Sequence, residues 1–236
     1  VLETRADVGI AFDGDADRIG AVDERGGVLW GDKLMILFSR SILAAVPGAT
    51  IVSEVKCSQT MYDDIRARGG RGIMWKTGHS LIKAKMKEVG ALLAGEMSGH
   101  IFFKHRFFGF DDGIYSGLRL LEILSQTTAP LSSLLADVPK MHSTPELRVD
   151  CAEEHKFRLV RAMVERMSKR CEVIDVDGAR VLYKGGWGLV RASNTQPLLV
   201  LRFEADTETR LMEIRADLEG ELERAKRDLG IVDRAS

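Results

Sequence analysis

"TIVSEVKCSQTMYDDIRARGGRGIMW", residues 50 to 75, runs from an apolar, β-rich segment through a helical pattern and back into a second apolar segment. "TIVSEV" (50–55) reads as a strand, residues 59 to 68 as a helix, and "GIMW" (72–75) as the next strand. The alternation continues downstream: Ile82, Met86 and Val89 share one helical face, and "ALLAGE" (91–96) is a third strand. Upstream, Leu34, Leu37, Phe38, Ser41, Ile42 and Ala45 recur at helical spacing behind Asp32, a candidate N-cap, until Pro47-Gly48 stops them. Strands alternating with helices of this length form an α/β layer with a largely parallel sheet.

The flanks are patterned differently. "VGIAF" (8–12) is a short strand, and "IGAVDERGGVLW" (19–30) is a pair of alternating runs around the turn Gly26-Gly27. The aromatic and glycine-rich "IFFKHRFFGFDDG" leads into a helix carrying Ile114, Leu118, Leu121 and Leu124. Pro130, Pro139 and Pro145 then punctuate residues 127 to 145, which puts a domain boundary near 138. Beyond it the pattern gives the strand "STPELRV", a helix with Phe157, Val160, Met163 and Met167 on one face, and strands near 171–176, 180–183, 188–192 and 197–205. A last helix repeats Leu211, Ile214, Leu218, Leu222, Ala225 and Leu229, a stripe that must cover a sheet face. The expected fold class is therefore α/β, with helices on a mixed, mostly parallel sheet, followed by a smaller α+β C-terminal domain.

Composition limits what such a chain does. Its 236 residues, 45% hydrophobic, are enough to fill real cores. With 34 basic and 35 acidic residues the formal charge is -1, so no global field recruits nucleic acid or an anionic membrane. No apolar stretch approaches the roughly 20 residues of a membrane span, and residues 1 to 7 lack the features of a secretory signal. Cys57, Cys151 and Cys171 fit no zinc spacing and cannot all pair. A cytoplasmic protein is expected.

Three stretches carry chemistry. In "GIAFDGDADR" (9–18), Asp13, Asp15 and Asp17 stand at alternate positions, an arrangement whose repulsion only a cation relieves. Oxygen ligands select Mg²⁺ or Ca²⁺, Gly14 and Ala16 let the loop curl, and Arg18 adds a guanidinium suited to phosphate oxygens. The competing readings are a solvated acidic turn and an EF-hand loop; the second has Arg18 where the turn glycine belongs and strands where helices belong. In "GLVRASNTQP", Arg191, Ser193, Asn194 and Thr195 gather a planar cation, two hydroxyls and an amide on a turn with no local acid, which suits a phosphate dianion, with Asn194 tolerant of left-handed backbone. A plain polar turn is the alternative. In "GEMSGH" (95–100), Glu96, Ser98 and His100 alternate beyond a strand end, where α/β sheets collect ligands, and a carboxylate with a hydroxyl reads sugar hydroxyls. Lys56 in "EVKCS" and His79 in "TGHS" also follow strands and could reach the same crevice.

Taken together, DGDADR, EVKCS, KTGHS, GEMSGH, FFGFDDGIYS and GWGLVRASNTQP followed by LVLRFEAD resemble, in order, the α-D-phosphohexomutase family, and within it the branch that accepts both mannose and glucose phosphates. That family has four domains around a central cleft. The resemblance implies that residues 1–26 are the end of the second domain with the metal loop, 27–138 the third, sugar-recognising domain, and 139–236 the fourth, phosphate-binding domain. It assigns Mg²⁺ to Asp13, Asp15 and Asp17, and the transferring phosphoryl to Arg18. Glu96 and Ser98 would hold the sugar 3- and 4-hydroxyls. Lys56, His79 and His100 would stand near the reacting hydroxyl, and Arg191, Ser193, Asn194 and Thr195 would grip the phosphate that is not transferred. The implied partners are hexose 1-phosphates, 6-phosphates and 1,6-bisphosphates, together with the N-terminal domains of the same protein.

Two departures qualify these expectations. The family's nucleophilic serine lies in a segment like S-H-N-P, which does not occur here, so the chain alone is expected not to turn over. Ala16 stands where the family usually has glycine, and Asn194 and Gln196 where some relatives have glycine and glutamate. The abrupt strand at Val8, with no partner upstream for an α/β sheet, is expected of a fragment rather than of a self-standing phosphosugar-binding module. A phosphoglucosamine mutase fragment would call for a different sugar loop from GEMSGH.

Overall fold

A computed structural model describes residues 1–231. They form two compact units, Val1–Pro139 and a second that begins at Lys140. The first opens with the antiparallel strands β1 (Val8–Phe12), β2 (Ile19–Asp23) and β3 (Val28–Leu29). Strand β1 finds its partner downstream in β2, with Phe12 opposite Ile19, and is an edge strand of this three-stranded sheet. The β2–β3 turn closes because Gly26 takes a φ of 83° and the Asp23 carboxylate accepts the N–H groups of Arg25 and Gly27 at 2.9 and 2.7 Å. This hairpin runs from 19 to 29, across position 26.

The α/β layer follows as α1 (Gly31–Ala45), β4 (Thr50–Glu54), α2 (Gln59–Ala67), β5 (Arg71–Trp75), α3 (His79–Val89), β6 (Leu93–Gly95), β7 (Ile101–Phe103) and α4 (Gly113–Ser125). Its strand order is β5-β4-β6-β7, with β4 parallel to β5 and β6, and β7 antiparallel to β6. The sequence reading missed β7, since "IFF" is too short to show alternation before the aromatic run. Asp32 is not the N-cap of α1. Trp30 holds that position, and Asp32 is buried in the first turn, where it accepts the Ser58 N–H at 3.0 Å.

Helix α4 also turns differently from its apolar stripe. Ile114, Leu118 and Leu121 are 54, 59 and 45% exposed, while Ser116, Gly117, Arg119 and Leu120 are buried. The small face wins because it must lie against the first sheet: a Cβ on Gly117 would stand 3.2 Å from the Phe12 ring, and one on Gly113 2.6 Å from the Arg18 carbonyl. Leu124 packs at the margin of the main core, which joins α1 to α2, β4 and β6.

The second unit contains β8 (His142–Ser143), β9 (Leu147–Asp150), α5 (Glu153–Met167), β10 (Glu172–Ile174), β11 (Ala179–Tyr183), β12 (Gly186–Ala192), β13 (Leu198–Ala205) and α6 (Glu208–Asp228). The sheet is antiparallel, in the order β10-β11-β12-β13-β8, with β9 also on β13. The single strand expected at "STPELRV" is thus split in two. Pro145 has no N–H for the ladder, and at the break Thr144 instead exchanges bonds with Phe203, accepting its N–H on Oγ1 at 3.2 Å. Leu211, Ile214, Leu218, Leu222 and Ala225 of α6 are buried against the sheet as the stripe requires. Gly186 and Gly188 of β12 make room for them, since their Cβ atoms would lie 2.7 and 2.8 Å from Ile214 and Leu218.

Helix α5 gives the clearest reversal. Phe157 is 52% exposed, and its neighbour Lys156 is buried in line with Leu159, Met163 and Met167. An ammonium goes inside only where acceptors await it.

Candidate functional site

In the first unit, main-chain contacts draw together the loops beyond the ends of β1 and β6 and the start of α4. Residues Arg18 and His100 form a bridge, the Ile19 N–H donates to Gly99 O at 3.1 Å, and the Gly31 N–H donates to Met97 O at 3.2 Å. The Gly113 N–H donates to Ala16 O at 2.9 Å. Glycine is required at these approaches: a Cβ on Gly31 would stand 2.2 Å from Glu96 O, and one on Gly99, whose φ is 97°, 2.4 Å from Ile19 O. The metal loop, the GEMSGH loop and the start of α4 are thereby held as one piece.

The carboxylates of Asp13, Asp15 and Asp17 converge to within 4.8 Å of one another. The curl comes from Ala16, with a φ of 59°, and not from Gly14, which stays out of the left-handed region. Arg18 folds back on the loop, its Nε donating to Asp13 Oδ2 at 2.6 Å and lying 3.6 Å from Asp17. Burial pulls the Asp13 carboxyl upward, but the Arg18 hydrogen bonds outweigh it and hold it below the usual range. Asp17 is pushed up, by burial first and then by Asp111, Asp15 and Asp13, against the pull of His100. Its Oδ1 is buried without a hydrogen-bond partner. An orphaned carboxylate oxygen among hard oxygen donors is what a divalent cation satisfies, so these residues fit Mg²⁺.

Beside this loop His100 Nδ1 lies 3.0 Å from Asp111 Oδ2, and that bond raises the imidazole pKa. The His79 ring, in the first turn of α3, stacks on His100 with centroids 5.9 Å apart. Glu96 accepts the Gly78 N–H at 2.6 Å and is approached by Ser98 Oγ at 3.4 Å. Burial and the neighbouring Glu54 carboxylate push Glu96 up. Glu54 accepts the Met97 N–H at 3.0 Å and lies 3.5 Å from Lys56 Nζ. Asp13, Asp15, Asp17, Arg18, Lys56, His79, Glu96, Ser98 and His100 thus belong to one neighbourhood. Asp111 and Glu54, which orient them, were missed, because each partners a residue far from it in sequence.

The second unit carries the other cluster. Residues 193 to 197 connect β12 to β13. Ser193 Oγ accepts the N–H groups of Thr195 and Gln196 at 3.3 and 3.1 Å, so this hydroxyl braces the turn, while Asn194 and Thr195 are exposed. Asn194, though tolerant of left-handed backbone, does not adopt it. Nor is the cluster free of acid, since Arg191 Nε donates to Asp177 Oδ2 at 3.0 Å. Gly178 permits that approach: its φ is 102° and its Cβ would stand 2.5 Å from Val190 O.

The family models for "Phosphoglucomutase/phosphomannomutase, alpha/beta/alpha domain III" and "Phosphoglucomutase/phosphomannomutase, C-terminal domain" match residues 30–142 and 146–221, and the chain belongs to this family. It is 50% identical over 230 residues to the phosphomannomutase/phosphoglucomutase of Pseudomonas putida, covering 97% of this chain and 50% of that protein. A crystal structure of a phosphoglucomutase/phosphomannomutase family protein from Burkholderia thailandensis matches with a TM-score of 0.84 at 45% identity, over 95% of this chain and 48% of that one. The Aspergillus fumigatus N-acetylphosphoglucosamine mutase in complex with GlcNAc-6P and magnesium is alike in fold alone, with a TM-score of 0.65 at 20% identity, over 93% of this chain and 48% of that one. The chain therefore spans about half the length of the relatives it matches.

Proposed function

We propose that this chain supplies the metal, sugar and phosphate contacts of a cytoplasmic phosphohexomutase, a phosphoprotein that interconverts the 1- and 6-phosphates of mannose and glucose through a phosphoserine and a 1,6-bisphosphate. The observation that carries the reading is the clasp of the metal loop to the GEMSGH loop, which sets the Asp17 carboxylate, one of whose oxygens has no hydrogen-bond partner, 3.7 Å from His100 Nδ1. Residues 1–26 would then be the end of the family's preceding domain.

Asp13, Asp15 and Asp17 would hold Mg²⁺, which when bound supplies positive charge against phosphoryl oxygens. Arg18 would donate to the same oxygens, charge-assisted and planar. Glu96 accepts from and Ser98 donates to the sugar 3- and 4-hydroxyls, which leaves the configuration at C2 unread and admits both sugars. His100, oriented by Asp111, stands with His79 and Lys56 where the reacting hydroxyl must lose or regain its proton. Arg191, Ser193, Asn194 and Thr195 bind the phosphate that stays on the sugar. No S-H-N-P segment occurs in the sequence, so the serine comes from elsewhere in the protein and this chain alone does not turn over.

Calorimetric titration with glucose 1-phosphate tests the reading. Saturable binding that Arg191→Ala abolishes and Glu96→Gln weakens supports it; binding indifferent to both changes refutes it.

A further inference from the structure

The molecule buries one ammonium at the back of the phosphate turn. Lys156 of α5 is 1% exposed, and its Nζ donates to Ser193 O at 2.6 Å and Gln196 O at 3.1 Å, with Glu153 Oε2 at 2.7 Å. A lysine has three N–H donors, and these three oxygens use them all. The two carbonyls belong to the two ends of the turn, thirty-seven and forty residues away in sequence. A trans peptide sets its N–H opposite its C=O. Turning Ser193 O toward Lys156 therefore turns the Asn194 N–H away from it, on the side where Asn194 is exposed.

We propose that Lys156 is the positioning residue of the phosphate turn: it draws in the carbonyls of Ser193 and Gln196 and so presents the Asn194 N–H, with Arg191 and Thr195, to a phosphate dianion. This rests on the phosphate reading of residues 191 to 195. Without the ammonium, Ser193 O loses its donor and Gln196 O keeps only the Leu198 N–H at 2.9 Å, and the turn relaxes toward conformations that meet water.

The test is amide NMR and hydrogen exchange on this chain, with inorganic phosphate and glucose 1-phosphate as probes, for the wild type, Lys156→Met and Lys156→Arg. Lys156→Met is expected to speed exchange of the Thr195 and Gln196 amides at least tenfold, to leave α6 and the β11–β12 amides unchanged, and to weaken binding of both probes about tenfold. Lys156→Arg recovers part of each effect. If Lys156→Met does not fold, Lys156→Gln, which keeps two N–H donors, is expected to show the same local pattern at smaller amplitude. Unchanged exchange in the turn, or a change spread evenly through the unit, overturns the proposal. So does wild-type affinity in a variant whose turn is loosened. A wild type that binds neither probe refutes the phosphate reading instead, and the exchange data then decide by themselves whether Lys156 orders the turn.

Discussion

Ala16 is the residue through which the metal loop can be tested most directly. It holds a φ of 59°, and its carbonyl accepts the Gly113 N–H, so the curl that gathers the aspartates depends on a left-handed alanine. A Cβ in that region costs roughly 1–2 kcal/mol. Replacing it with glycine removes this cost but adds freedom to the unfolded chain, worth about 0.4–1 kcal/mol in the other direction. Ala16→Gly should therefore stabilise the first unit by a net of about 0.8 kcal/mol, within a range of about 0–1.6, which for a unit of this size is a rise of about 3 °C in its Tm. Ala16→Val should lower it, because a branched Cβ fits the left-handed region still less well. The assay is differential scanning calorimetry of the chain without added cation, following the transition of the first unit separately from the second. A Tm for Ala16→Gly equal to or below wild type, or a tolerated Ala16→Val, would show that the loop is not held in this conformation.

Other substitutions probe the remaining contacts. Under the proposed function, millimolar Mg²⁺ should raise the Tm of the first unit, and Asp17→Asn should abolish that rise. Gly113→Ala, whose Cβ would meet Arg18 O at 2.6 Å, should destabilise that unit by about 1–3 kcal/mol in urea titration and blunt the same Mg²⁺ response. In the second unit, burial raises the Asp217 carboxyl, but the hydrogen bonds from Arg170 and Tyr183 prevail and hold it below its ordinary value. Its stabilising contribution is therefore complete above the ordinary aspartate range and is lost as pH falls through the lowered value. Urea midpoints of Asp217→Asn should lie below wild type at pH 7 and converge with it in strong acid; a gap that persists there would contradict the assignment.

Much of the architecture was legible because strands and helices alternate at short intervals and each has a distinct period. The failures share one physical cause. Periodicity says that a face is apolar, but not which of two adjacent faces has a partner. On α4, Gly113 and Gly117 admit the first sheet, and the leucine stripe is left outside. On α5, Lys156 displaces Phe157 from the interior because two carbonyls of a distant turn need its protons. Asp32 looked like a cap because caps are local, and its real partner is Ser58. The candidate site divides in the same way. Its candidate ligand-binding residues stand in contiguous motifs and were readable, whereas Asp177 and Lys156 act on those motifs from other segments, and Asp111 and Glu54, inside quoted motifs, bond to residues of another motif.

The electrostatics of the metal loop follow from this division between ligand-facing and supporting residues. Three carboxylates and the nearby Asp111 cannot be gathered by their own interactions, which are repulsive. The glycines at 31, 99 and 113 supply close main-chain approaches that hold the loops regardless of charge. Arg18 then serves as an internal countercharge on Asp13, and only part of the repulsion is relieved, since Asp17 remains raised and one of its oxygens remains orphaned. A divalent cation accepted by the same carboxylates would complete the neutralisation and weaken the hold of Asp13 on Arg18. The guanidinium would then be available to an anion at the moment the cation is in place, so under the proposed function this loop couples metal occupancy to phosphoryl binding through one arginine.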